Sequence, residues 1–274
     1  MQSGNSKMKR DLGGRLAVVT GADSGIGLCF CRELAARGAD LVMVSNRDGI
    51  LQETAADIAG EFNVKTHPFF CDLSDPLAHD KIIDWLDLSG LNPDMLINNA
   101  GIFAFDMLTS IPEGKINCFL DLHCRAVTLL SRSFAARFAE RGGGRILNMS
   151  SMSCWTPMPG IAMYAATKAY IRVFSRALHY EMCDSGVSVT VACPGGIATD
   201  LFGLPENLKK LAVRIGAIQT PEKFVHKALN HTLRGKRQYI NGLLNRIGIV
   251  AVGIAPTSVR MLVKHKMLDR GIHR

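Results

Sequence analysis

The chain predicts an α/β fold: a doubly wound parallel sheet of about seven strands, in three αβα layers, as a single domain with a helical C-terminal extension. Three observations carry this. Apolar strand-like runs alternate with helical patterns between residues 14 and 241, which is the signature of βαβ units and right-handed crossovers. The first strand-like run enters a glycine-rich turn that opens a helix. The length of 274 residues and the 47% apolar content suffice for one large core, covered on both faces of a parallel sheet.

Leu16–Thr20 is apolar and β-branched and reads as the first strand. It runs into Thr20-Gly21-Ala22-Asp23-Ser24-Gly25-Ile26-Gly27, followed by a helix over 25–37. Gly21, Gly25 and Gly27 permit a tight turn, and let backbone N–H groups near Ser24 and Ile26 approach a pyrophosphate at a helix N-terminus. The same turn can be purely structural. Asp40–Ser45 is the second strand, and a helix follows over 49–62. At its end, dinucleotide sites that take NAD place an acid on the ribose 2′-hydroxyl. Asn46 stands there instead, and the Arg47 guanidinium suits a 2′-phosphate. NADP(H) is favoured and NAD(H) is the alternative. Asp48 could pair with Arg47, and Arg47 could also be an ordinary surface charge.

Val64–Cys71 is the third strand, ending at Asp72 and Leu73, with a helix over 75–88. Asp72 could accept from an adenine amino group; Asp72 or Ser74 could instead cap that helix. Met95–Asn98 is the fourth strand. Asn98 and Asn99 can tie the sheet together, while Ala100 and Gly101 leave room for a cofactor. A long helical pattern covers 113–141. Arg145–Ser150 is the fifth strand and delivers Ser151. A helix over 159–185 carries Tyr164 and Lys168 at i and i+4, on one face. Val187–Cys193 is the sixth strand and enters Pro194-Gly195-Gly196-Ile197-Ala198-Thr199. A helix over 222–233 and a seventh strand at 237–240 complete the domain. The expected boundaries are a flexible segment at 1–13, the nucleotide-binding domain at 14–241 with a mobile substrate loop near 195–215, and an extension at 242–274.

Tyr164 and Lys168 carry the chemical expectation. A phenol exchanges protons poorly at neutral pH, and an ammonium one turn away should lower its pKa. Ser151, thirteen residues before Tyr164, can hydrogen-bond a carbonyl oxygen. An exposed, unreactive pair is the plain alternative for Tyr164 and Lys168 taken alone.

The net charge is +8. From His231 to Arg274 there are nine Lys or Arg and one acid, Asp269. Aromatics do not interleave with these charges and no nucleic-acid motif appears, so an anionic cofactor or membrane surface explains the charge better than nucleic acid. No apolar run is long enough to span a bilayer, and the first ten residues lack a signal-peptide core. Eight scattered cysteines without C-x-x-C or zinc spacing read as reduced thiols of a cytoplasmic protein, and no metal is expected.

In register, the Thr20–Gly27 turn, Asn98-Asn99-Ala100-Gly101, Ser151, Tyr164-x-x-x-Lys168 and Pro194-Gly195 with Thr199 closely resemble the short-chain dehydrogenase/reductase family. The similarity covers roughly residues 14–200 and runs more loosely to 241. It is nearest the hydroxysteroid dehydrogenase and long-chain 3-ketoacyl reductase branches. The resemblance implies a seven-stranded Rossmann sheet, dimers or tetramers, and hydride transfer between NAD(P) and a carbonyl/alcohol pair. By position, Tyr164 would protonate the alkoxide, Ser151 would orient the carbonyl, and Lys168 would hold the nicotinamide ribose. The loop of Pro194, Gly195, Ile197 and Thr199 would cover the nicotinamide. One position departs: His123 stands where the family has an Asn, eight residues before Ser131. It could hold the same relay water and titrate, or be a core histidine bonded to a nearby backbone carbonyl.

The stretch Met152–Met163, together with Phe103, Phe105 and Met107, and with Leu201, Phe202, Leu204 and Pro205 in the loop, is almost wholly apolar. It suits a hydrophobic ketone or alcohol, steroid-like or long-chain. Pro256 should split the extension into two helical pieces. The apolar run 247–255 and the basic residues around it could cap the pocket, form an oligomer contact or lie on a membrane. A catalytically silent nucleotide-binding regulator is the alternative of another class.

Overall fold

In the computed structural model, which describes residues 12–197, 219–242, 245–249 and 256–268, the strands form where the apolar runs are densest. They are β1 (Leu16–Thr20), β2 (Asp40–Ser45), β3 (Thr66–Phe70), β4 (Met95–Asn98), β5 (Gly144–Met149), β6 (Val187–Cys193) and β7 (Gln238–Ile240). All pair in parallel, in the order β3-β2-β1-β4-β5-β6-β7. The order reverses beside β1. In such a sheet the crevice for a ligand opens at the carboxyl ends of the strands flanking that reversal.

The helices are α1 (Gly25–Ala36), α2 (Asp48–Phe62), α3 (Ala78–Leu88), α4 (Glu113–Leu120), α5 (Val127–Glu140), α6 (Ala162–Glu181), α7 (Pro221–Leu233) and α8 (Thr257–Val263). Alternate strand residues divide between two cores, as the strand period of two requires. Val19, Leu41, Met43 and Ile97 meet Phe30 and Leu34 of α1, Ile58 of α2 and Phe224 of α7. Val18, Val42, Leu96 and Ile146 meet Ile82 of α3, Phe134 and Phe138 of α5 and Leu178 of α6. Each fully buried side chain of this size contributes roughly 1.5–3 kcal/mol.

Two helix starts and the interior of the long helix over 113–141 depart from the sequence expectation. α3 begins at Ala78 rather than 75, because Asp75 Oδ1 accepts from the Leu77 N–H in a local turn. Neither Asp72 nor Ser74 caps it. α6 begins at Ala162 rather than 159, because Gly160 sits at φ +87°, outside the helical region. The expected single helix over 113–141 is interrupted by a π-helical turn, Asp121–Ala126, that contains His123. Pro256 precedes α8 and helix also covers 245–249, so helix lies on both sides of the proline. Residues 1–11, most of the expected loop (198–218) and 250–255 lie outside the described residues.

Gly27 fixes the first turn. A Cβ there would lie 1.9 Å from the Gly21 carbonyl oxygen and 2.6 Å from Asn99 Nδ2. Exposed Gly60 in α2 has nothing within 4 Å of its Cβ position. Gly27→Ala should therefore lose several kcal/mol, of the order seen for overpacking. Gly60→Ala should gain ~0.5–1 kcal/mol. Urea unfolding of the two variants beside the parent checks both signs.

Candidate active site

A cleft of about 550 Å³ opens at the strand carboxyl ends beside the order reversal. Gly21, Ser24, Gly25 and Ile26 line one end, with Asn46 and Arg47 beside them. Asp72, Leu73, Asn99, Ala100 and Gly101 form its wall. Tyr164, Lys168 and Pro194 line the other end. Hollows of similar size near Arg141 and Gly143 or Pro93 and Arg132 lie at the opposite ends of the strands, away from the crevice where such a sheet takes its ligand.

Gly21 and Gly25 adopt φ +63° and +54°, which L side chains rarely tolerate. At Gly25 nothing lies within 4 Å of a Cβ position, so the backbone there stands open to the cleft. Ser24 precedes α1 in extended conformation without capping it. Its Oγ accepts from Arg47 Nη2 at 2.7 Å instead. Arg47 Nε donates to the buried Asp23 carboxylate at 2.5 Å. The possible Arg47–Asp48 pair does not form; Asp48 accepts from Gln52. Open backbone at a helix start fits the diphosphate of a dinucleotide, and a guanidinium stands nearby at the end of β2.

Below the cleft the amides tie the strands together. Asn99 Nδ2 donates to the Thr20 carbonyl at 3.0 Å, and Asn98 Nδ2 to Asn148 Oδ1 at 2.8 Å. Asn148 Nδ2 donates to Ser175 Oγ at 2.9 Å. Asn148, Ser175 and Asp23 escaped the sequence reading. A polar residue inside the apolar run of β5 was the available signal for Asn148.

Ser151 starts a tight 3-10 turn, Met152–Trp155, and its Oγ accepts from the Ser153 N–H at 3.1 Å. Tyr164 lies in the first turn of α6, beside Ser151 and edge-on to Phe103. Phe105 packs at Gly160, so the two apolar segments named from the sequence meet. Lys168 Nζ donates to the Met149 carbonyl at 3.1 Å and stands 5.7 Å from the centre of the Tyr164 ring. Ser150 Oγ holds the Lys168 carbonyl at 2.7 Å. Tyr164 and Lys168 thus share one end of the cleft at a spacing set by helix α6, and Ser151 stands behind them at the end of β5.

The electrostatics correct one expectation. Burial raises the Tyr164 pKa; the hydrogen bond with Ser151 opposes this and the Cys154 thiol adds to it. Burial lowers Lys168 to about 8. Desolvation of the phenolate outweighs any pull from Lys168, whose ammonium is directed to Met149.

His123 is fully buried, as a core histidine would be. Its Nε2 accepts from the Ile102 backbone N–H at 3.1 Å, rather than donating to a carbonyl. Its Nδ1 therefore carries the proton and donates to Thr167 Oγ1 at 2.9 Å. Burial and then Lys168 hold its pKa well below the ordinary value. The expected titration near neutrality is not supported, because both nitrogens are committed in the neutral form. Gly195 N–H donates to Asn241 Oδ1 at 2.6 Å, and buried Ile197 bridges to Gln219. These two, with Gly27 and Ser151, do not line the cleft described above. Thr199, Leu201, Phe202, Leu204 and Pro205 lie outside the described residues.

The sequence profile of the short chain dehydrogenase family matches residues 15–207. The chain belongs to that family. Its similarity to the very-long-chain 3-oxoacyl-CoA reductase of Rattus norvegicus is 35% identity over 220 residues, 76% of this chain and 70% of that protein. The inactive hydroxysteroid dehydrogenase-like protein 1 of Homo sapiens is 31% identical over 225 residues. That match takes in 79% of this chain and spans 65% of the human protein's length. Among solved structures, a 7beta-hydroxysteroid dehydrogenase superposes with TM-score 0.80 at 26% identity, covering 88% of this chain and 93% of that one. A short-chain dehydrogenase from Sphingobium yanoikuyae in complex with NADPH gives 0.76 at 26% identity, covering 92% and 96%. Among the described residues, no helix is long and apolar enough to cross a membrane.

A lysine whose folded pKa lies below its unfolded value binds fewer protons when folded, between about pH 8 and 10.5. Stability should therefore rise with pH across that window. The contribution is on the order of 3 kcal/mol at ~1.4 kcal/mol per pH unit. Lys168→Met should flatten the rise, as read from denaturant unfolding at both ends of the window.

Proposed function

We propose that the protein is an NADP(H)-dependent oxidoreductase that interconverts a hydrophobic ketone and its secondary alcohol. The carrying observation is that Tyr164, with Ser151 beside it, and Lys168 stand at one end of a cleft whose other end is a glycine-rich turn and Arg47. When bound, the nicotinamide supplies or accepts the hydride. Tyr164 gives its proton to the developing alkoxide, and its raised pKa keeps the phenol protonated at neutral pH, ready for the reductive direction. Ser151 donates a hydrogen bond to the carbonyl oxygen. Lys168 provides the cation one helical turn from the phenolate left behind. The apolar walls around Phe103 and Phe105 favour a steroid-like or long-chain acyl substrate, as the names of the relatives do. Tyr164→Phe should lower kcat by ~10²–10⁴. Binding of NADPH, followed by its fluorescence, should persist. Full retention of turnover, or absence of turnover in the parent across a panel of ketones, would sink this reading.

One observation favours NAD(H) working oxidatively: the Asp23 carboxylate already engages Arg47. Side-by-side kinetics with both cofactors decide. Arg47→Asp should raise the KM for NADPH at least ~10-fold, the loss of a charge-assisted contact, and leave that for NADH within a few-fold. The human relative named as inactive points toward a silent nucleotide binder, and the intact Ser151, Tyr164 and Lys168 weigh against it.

His123 acts here as a neutral positioning residue that holds Ile102 and the α6 residue Thr167. His123→Asn should keep kcat within about 10-fold and leave the pH profile without a new limb near the ordinary histidine pKa. His123→Ala should lower kcat, because the Ile102 N–H loses its acceptor. Exposed Tyr170, Val173 and Tyr180 on α6 support a homodimer or tetramer, which light scattering measures. The basic extension, with exposed Val259, Met261 and Leu262, supports peripheral contact with anionic liposomes, read by flotation at low salt.

A further inference from the structure

We propose that Cys154 and Cys193 form a reversible disulfide that pulls the Ser151 turn out of place. Cys193 is the last residue of β6 and is fully buried. Cys154 lies in the Met152–Trp155 turn and is partly exposed. Cys154 packs against the small cluster that Cys193 forms with Val127, Ile171 and Val191. Backbone bonds fix the two segments side by side: Ser150 N–H to the Ala192 carbonyl and Met152 N–H to the Pro194 carbonyl, both at 2.8 Å. The pair therefore sits where the Ser151 segment and the Pro194 segment run together.

The two thiols differ in character. The hydrogen bond from Cys193 lowers the Cys154 pKa against the effect of burial, with the Arg172 guanidinium helping. Cys193 is pushed well above the ordinary range, first by that same hydrogen bond and then by burial. Arg172 also stacks over the Trp155 ring at 4.3 Å, next to Cys154. Burial raises Cys29, Cys31, Cys71, Cys118 and Cys124. Cys154 reaches solvent and Cys193 does not, so Cys154 is the attacking thiol and Cys193 the resolving one.

The oxidant is a hydroperoxide, hydrogen peroxide in the simplest case. The Cys154 thiolate attacks one peroxide oxygen, the O–O bond breaks, a sulfenic acid forms and hydroxide leaves to become water. The Cys193 sulfur then attacks the sulfenic sulfur. An S–S bond forms, the S–O bond breaks and a second water leaves. The two thiols together lose two electrons and two protons, and the peroxide is reduced to two waters. Reduction by a dithiol reverses the change. An S–S bond of ~2.05 Å is shorter than any non-bonded approach of two sulfurs, so closing it draws the turn toward β6. The Cys154 N–H is bonded to the Ser151 carbonyl, so Ser151 moves with it. A shift on the order of 1 Å at a reacting group costs catalysis about 10²-fold.

The effect on turnover rests on the proposed oxidoreductase reading; the disulfide does not. The test treats the full chain with hydrogen peroxide, denatures and alkylates it, and maps peptides without reduction. Exposed Cys183 serves as the internal control for oxidant exposure. The expected result is a linked Cys154–Cys193 peptide before Cys183 is oxidised, reversed by dithiothreitol and absent in Cys154→Ser and Cys193→Ser. Trp155 fluorescence should change with the linkage, and not in Cys193→Ser. The other tryptophan, Trp85, stacks on Phe69 beneath the far edge strand. Turnover of an accepted ketone should fall at least ~10-fold and recover on reduction. Oxidation of Cys183 while Cys154 and Cys193 remain alkylatable overturns the proposal, as does a linkage that leaves Trp155 emission and turnover unchanged. If no form of the protein turns over, the peptide map and fluorescence still decide the disulfide, and the failure belongs to the oxidoreductase reading.

Discussion

An ammonium with 4% of its residue surface exposed has to be met by oxygen, and at Lys168 the end of the parallel sheet supplies it. The Met149 carbonyl, where β5 stops, accepts from Nζ, and Ser150 one residue later grips the Lys168 carbonyl in turn. Helix α6 is thereby bolted to the end of β5 at both ends of one residue. The neighbouring site residues take their places from that bolt. Ser151 follows Ser150 directly, Tyr164 stands one turn before Lys168, and the rigidity of a helix and a strand fixes the distance between them. The cost of burying the cation appears in its pKa of about 8. Such a cost is tolerated at sites where the strained group does chemistry.

The second requirement is that polar groups beneath the cleft be satisfied without water. Asn98, Asn148, Ser131 and Ser175 form one buried chain that joins β4 and β5 to α5 and α6. An unpaired member would cost about 1–3 kcal/mol, so the chain holds its helices in register. The π-helical turn before α5 belongs to the same arrangement. One extra residue per turn brings His123 inward, where its two nitrogens bind the loop after β4 and the start of α6.

Much of this was legible in the sequence. β1, β2, β4 and β6 match the apolar runs residue for residue, because a strand buried on both faces leaves a continuous apolar signature. The helix starts at Ala78 and Ala162 were not legible, because an aspartate side chain and a positive-φ glycine override periodicity there. The π turn leaves no trace in a hydrophobic pattern, since only its backbone bonding differs. The Arg47 partner was not legible for a general reason. Asp48 is the neighbour in sequence, but α2 begins at Asp48 while Arg47 turns back to Asp23 after β1. Non-local pairing of that kind is decided by topology, not by spacing.

The two ends of the cleft make opposite demands. Near Arg47 the guanidinium is half exposed and bonded to Asp23 and Ser24, so charge stays partly in water and can be exchanged for that of a ligand. Near Tyr164 the phenol is buried and held neutral, and the nearest histidine is also held neutral. An anionic, hydrated group suits the first end, and an uncharged ring with a carbonyl beside it suits the second. A nicotinamide dinucleotide carries this distribution along its length, with its phosphates toward the adenosine half and a planar ring at the other end.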